Sequence, residues 1–165
     1  MNIYLIGMPG SGKSTLGKQL AESLNYSFVD MDKEIEASER KTINEIFAED
    51  GEEEFRDIEQ DMLHEVSTGK NLVISTGGGV PCFFDNMKFI NRSGTSIFLN
   101  VSDKELIHRI LKNSNRPLFL NKTNDEIKNE LKMKLESRIS FYSQAQVTVT
   151  GDNIQLSDIL EQLNS

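Results

Sequence analysis

The feature that most constrains this chain is the run Gly7-Met8-Pro9-Gly10-Ser11-Gly12-Lys13-Ser14, which fits G-x-x-x-x-G-K-[ST]. It follows the apolar stretch Ile3–Ile6 and precedes Leu16, Leu20 and Leu24, which repeat every four residues. A strand, a glycine loop and a helix in that order let backbone N–H groups turn inward toward phosphate oxygens, backed by the helix N-terminus. Lys13 adds a mobile positive charge, and the Ser14 hydroxyl is placed to ligate Mg²⁺. The residues expected against a nucleotide here are Gly10, Ser11, Gly12, Lys13, Ser14 and Thr15.

The same alternation continues along the chain. Short apolar runs at Ile3–Ile6, Ser27–Asp30, Leu72–Ser75, Ser96–Val101 and Gln146–Thr150 read as strands, and amphipathic segments lie between them. This pattern predicts an α/β fold with a parallel sheet covered on both faces. Capping boxes at Thr42/Glu45, Ser102/Glu105 and Thr123/Glu126 mark helix starts. Ile127, Leu131, Leu135 and Ile139 form a stripe that should face the core, as should Leu156, Ile159, Leu160 and Leu163. Lys112–Lys122 resists both periods and has a loop composition, and loops of that length are often functional. The 165 residues predict one domain, at roughly 100–200 residues per domain.

Composition narrows the function classes. With 18 Lys+Arg against 26 Asp+Glu the net charge is -8, which disfavours nucleic acid as a partner because phosphate neutralisation needs a basic surface. The single cysteine, Cys82, can form neither an intrachain disulfide nor a Cys-rich zinc site, consistent with a reducing cytoplasm. No basic leader precedes Ile3, and no apolar run approaches the ~20 residues of a membrane span. His64 and His108 read as surface residues, and Glu52-Glu53-Glu54 as a solvated acidic run at a helix start.

A phosphate loop alone leaves kinase, GTPase and ATP-driven module open. The nearest match to guanine-reading Asn-Lys-x-Asp is Asn121-Lys122-Thr123-Asn124, which lacks the acid, so a small phosphotransferase is favoured. Asp30 and Asp32 stand at the carboxyl edge of the second strand, where ligands bind in open α/β sheets. They share a side if the strand continues, one serving metal and the other an acceptor; a plainer reading is that both cap the Lys33–Ala37 helix.

Four segments then fall in a telling order: the Phe47–Glu59 run containing Asp50-Gly51 and Phe55-Arg56, then Gly77-Gly78-Gly79, then Asn115-Arg116-Pro117-Leu118, then Arg138 with Tyr142 and Ala145. Together with the phosphate loop and Asp30-x-Asp32, these resemble the shikimate kinases across essentially the whole chain. The resemblance implies a three-layer αβα P-loop fold of the nucleoside-monophosphate-kinase type, its five parallel strands in the order 2-3-1-4-5. It implies a substrate-binding helical segment at about 32–67 and a mobile lid at about 112–123. It also implies Mg²⁺-dependent transfer of the ATP γ-phosphoryl to the 3-hydroxyl of shikimate by a monomer.

Residue by residue, the resemblance assigns Arg56 and Arg138 to the shikimate carboxylate, a group that planar guanidinium forks suit. Asp32 falls to the reacting hydroxyls, as the residue that holds them and the candidate base, and Gly77, Gly78 and Gly79 to substrate contact through the backbone. Ser14 and Asp30 fall to Mg²⁺. Lys13, Asp32 and Arg116 form the catalytic set, Arg116 closing from the lid on the transferred phosphoryl, and Arg109 matches a position that stacks on adenine. Phe119 departs from the family, which often has leucine there. Two rivals remain: a gluconate or adenylylsulfate kinase, opposed by Arg56, Gly77–Gly79 and Arg138, and a silent nucleotide-binding regulator, opposed by intact Lys13, Asp32 and Arg116.

Overall fold

Five consecutive residues that are all buried cannot lie at the edge of a sheet, and β1 (Asn2–Ile6) is such a run. In the computed structural model, which describes residues 1–112 and 122–165, β1 is the central strand. It pairs in parallel with β3 (Leu72–Ser75) on one side and β4 (Gly94–Asn100) on the other. β2 (Ser27–Asp30) and β5 (Val147–Thr150) complete the sheet in the order β2-β3-β1-β4-β5. The expected α/β architecture, strand order included, is the observed one.

The helices are α1 (Lys13–Leu24), α2 (Met31–Glu39), α3 (Ile43–Val66), α4 (Asn86–Ser93), α5 (Asp103–Lys112), α6 (Asn124–Tyr142) and α7 (Leu156–Leu163). Thr42 and Thr123 make full capping boxes with Glu45 and Glu126. Ser102 makes half of one: its hydroxyl accepts from Glu105 N–H, but its own N–H donates to Asp152 Oδ1 instead. α3 is broken at Gly51 (φ 86, ψ 170), so the exposed Glu52–Glu54 run opens a new helical segment.

The α6 stripe needs correction. Ile127 and Leu131 are buried, but Leu135 is half-buried and Ile139 is 36% exposed. A strict four-residue repeat drifts by about 40° per step on a 3.6-residue helix, so its later members rotate off the core. Tyr142, fully buried, takes over at the end of the helix. Of the lid expected at about 112–123, residues 113–121, Arg116 and Phe119 among them, lie outside the described residues.

Candidate active site

The phosphate loop joins β1 to α1 at the carboxyl edge of the sheet. Its helix begins at an N-cap that no side chain fills: Gly12 stands there at φ 98, a conformation glycine adopts without strain. The first-turn amides therefore face the cleft without a side-chain acceptor from the cap, as an anion site requires. Lys13 is buried and folded back on the loop, its Nζ donating to Gly7 O at 2.8 Å and Met8 O at 2.9 Å.

Asp30 does two jobs. Oδ1 accepts from Asp32 N–H (3.1 Å) and Lys33 N–H (3.4 Å), capping α2, while Oδ2 accepts from the Ser14 hydroxyl at 3.2 Å. The strand ends at Asp30, so the continued-strand premise for Asp32 does not hold; Asp32 reaches the cleft from the first turn of α2. The capping and metal readings of Asp30 are thus compatible. Two oxygens converging beside the phosphate loop suit Mg²⁺, which prefers one or two protein ligands plus phosphate and water. Among the described residues no cluster of three or more His, Cys, Asp or Glu could hold a metal by itself.

Two cavities, of about 650 Å³ and about 790 Å³, share Pro9, Asp32, Glu36, Gly77 and Gly78 and so form one cleft. The first is lined by Gly10, Gly12, Lys13, Ser14, Thr15, Asp30 and Arg109, and the second by Phe47, Phe55, Arg56, Glu59, Gly79 and Arg138. Ser11 is buried beneath the loop. All the expected site residues among those described, Ser11 aside, therefore line a single cleft with a polar phosphate end and a partly apolar acceptor end, a shape suited to small ligands.

Asp32 stands at the junction. It opens toward the cleft, yet protein surrounds it, and loss of hydration pushes its carboxyl above the ordinary value of 3.8, helped by the Asp30 charge and opposed by Lys13 and Arg56. Arg56 is 9% exposed, and its Nη1 donates to Glu59 Oε1 at 2.6 Å. Glu59, 2% exposed, is driven by burial to a pKa of about 7 despite the Arg56 charge and hydrogen bond. The guanidinium lies against Gly79, where a Cβ would overlap Nη1 and sit 2.9 Å from Cζ and Nη2. Arg138 Nη1 would lie 3.0 Å from a Cβ on Gly78. The Tyr142 hydroxyl donates to Gly78 O at 2.5 Å, tying α6 to the glycine run.

Arg109 is engaged on all three nitrogens. Nε donates to Glu105 Oε1, Nη1 to Gly10 O and Nη2 to Asp152 O, so it ties the phosphate loop to the Gly151–Asn153 turn. His64 and His108 are exposed, and burial raises the Cys82 thiol to about 11, which suits an inert cysteine. Sequence reasoning assigned no role to Glu59, though its i,i+3 spacing from Arg56 on a helix was the available signal. Lys134 and Glu36 also line the cleft and carried no signal.

An open parallel sheet with a phosphate loop at its carboxyl edge, an acid at mid-cleft and two arginines beyond it defines a P-loop kinase of small molecules. A family model described as shikimate kinase matches residues 9–164, and this chain belongs to the shikimate kinase family. A shikimate kinase of Bacteroides thetaiotaomicron is 46% identical over 156 residues, 94% of this chain and 89% of the relative. The crystal structure of shikimate kinase from that organism superposes with a TM-score of 0.95 at 42% identity, covering 100% of this chain and 99% of the other. Shikimate kinase from Acinetobacter baumannii in complex with shikimate gives 0.86 at 34% identity, covering 99% and 89%.

Proposed function

We propose that this enzyme transfers the γ-phosphoryl of ATP to the 3-hydroxyl of shikimate, with Asp32 at the point of transfer. The observation that carries the reading is the position of Asp32: it lines both cavities, between Lys13 on the phosphate side and Arg56 and Arg138 on the acceptor side. A carboxylated polyol fits such a cleft, since the arginines suit its carboxylate and Asp32 suits its hydroxyls. Phe47, Phe55 and Ile43 offer the apolar wall that a carbocycle needs.

In this reading the loop amides from Gly10 to Thr15 and Lys13 hold the β- and γ-phosphates. Lys13 leaves Gly7 O and Met8 O to do so. Asp32 orients the acceptor hydroxyl and takes its proton as the P–O bond forms; its raised pKa brings its basicity nearer to that of a useful general base. The Gly77–Gly79 backbone supports the substrate beside Asp32. Arg109 and the Gly151–Asn153 turn flank the base side of the nucleotide, and Arg116 closes on the transferred phosphoryl, the last resting on the family resemblance. Ser14 and Asp30 would hold Mg²⁺, which when bound screens the phosphate charge.

That the enzyme is a monomer rests on the family resemblance. The net charge of -8 argues against nucleic acid, and no helix among the described residues is long and apolar enough to cross a membrane. Phosphorus NMR of the product tests the assignment: a single ester whose phosphate couples to the proton on C3 is expected, and phosphate on another hydroxyl would overturn it.

A further inference from the structure

Arg56 is held in a way that its pairing with Glu59 does not account for. An in-plane hydrogen bond fixes one edge of a guanidinium but leaves its plane free to swing about that contact. The Phe83 ring supplies the second constraint: Arg56 Cζ lies 4.1 Å from its centroid, against 5.3 Å for Phe55 and 5.9 Å for Phe47. Phe83 closes the short turn that follows the glycine run, so one segment provides both the room at Gly79 and the ring that covers the guanidinium.

The remaining edge is the one left for a ligand. Among the described residues, Arg56 Nε is buried without a hydrogen-bond partner. Among the same residues Nη2 meets only Glu52 Oε1, at 3.4 Å, on a side chain that is 61% exposed and can swing away. A carboxylate arriving at the Nε–Nη2 edge would satisfy a buried donor and displace a weak contact, provided that the plane of the fork is already set.

We propose that Phe83 is a positioning residue for substrate recognition, its ring locking the Arg56 guanidinium so that the Nε–Nη2 edge meets the substrate carboxylate. This rests on the assignment of Arg56 to that carboxylate. Phe83 touches no reacting atom; it acts through Arg56. A face-stacked aromatic ring also replaces water on the cation without competing for its donors, which an acidic partner there would do.

The test is a double-mutant cycle read as kcat/KM at low shikimate, with kcat and the KM for ATP measured alongside. Phe83→Leu should lower kcat/KM for shikimate by about 3- to 30-fold through KM, the range expected for a desolvated cation–π contact, with kcat and the ATP KM unchanged. Phe83→Tyr, which keeps the ring, should restore it, a rescue that a role in mere packing would not single out. In an Arg56→Ala background Phe83→Leu should add nothing. If Phe83→Leu does not fold, Phe83→Met against Phe83→Tyr makes the same comparison. An undiminished effect of the leucine in the Arg56→Ala background, or none in the wild type, overturns the proposal for Phe83 alone. If Arg56→Ala itself leaves the shikimate KM unchanged, the carboxylate assignment falls, and this proposal with it.

Discussion

A single methyl group at Gly79 tests the acceptor end of the cleft more cleanly than removal of a charge. Gly79 has φ -88 and ψ -15, which alanine adopts without strain, so Gly79→Ala acts only through space. The new Cβ would overlap Arg56 Nη1 and lie 2.9 Å from Cζ and Nη2. To reach ordinary contact near 3.5 Å the guanidinium must retreat by roughly 0.5–1 Å. Such a shift breaks the 2.6 Å bond to Glu59, a charge-assisted contact worth about 1.5–3 kcal/mol. Glu59, poised at about 7, can take up a proton, which limits the loss of stability. Misaiming the fork should cost a similar contact to the substrate, so the shikimate KM should rise about 10- to 100-fold, with the ATP KM steady and kcat changed little. A coupled assay for ADP and a thermal melt suffice. An unchanged shikimate KM in the folded variant would refute the reasoning, because the methyl cannot coexist with Arg56 as it stands.

Other expectations follow from the same geometry. Lys13→Ala should cost at least about 10²-fold in kcat while circular dichroism stays native, since the lysine supplies the loop's only cation beside the phosphates. Asp32→Asn should cut kcat by about 10²–10⁴-fold and abolish an acid limb of the pH–rate profile that lies above the usual Asp range, because burial raises its pKa. The Glu59 carboxyl is raised from 4.5 to about 7, so the folded state binds the extra proton: its stabilising effect is full below pH 4.5 and is lost as pH rises to about 7. Denaturation of wild type against Glu59→Gln should show that difference, up to about 3 kcal/mol over this window, and a flat difference curve would remove the assignment.

Much of the fold was legible because its strands are bounded apolar runs. β2 and β3 match the expected residues, whereas β4 starts at Gly94 rather than Ser96 because Gly94 and Thr95 are recruited by pairing with Asn2 and Ile3, which local pattern does not encode. α6 misled for a helical reason, the drift that carries Ile139 outward. At the site, Lys13 was legible from the phosphate-loop motif and Asp30 from its place at the end of a strand, whereas the role of Arg56 came only with the family resemblance. Glu59, Phe83 and Tyr142 were not assigned roles, because each acts by touching another residue: Arg56 for the first two, and Gly78 O, 64 positions away in the chain, for Tyr142. Such contacts exist only after folding.

The central claim is that the arginine-flanked end of the cleft selects shikimate as acceptor. ADP release measured with ATP and Mg²⁺ against shikimate, quinate and gluconate tests it most directly. Turnover with shikimate and only background with the other two is the expected result. Comparable turnover with gluconate, or none above background with shikimate, would contradict it.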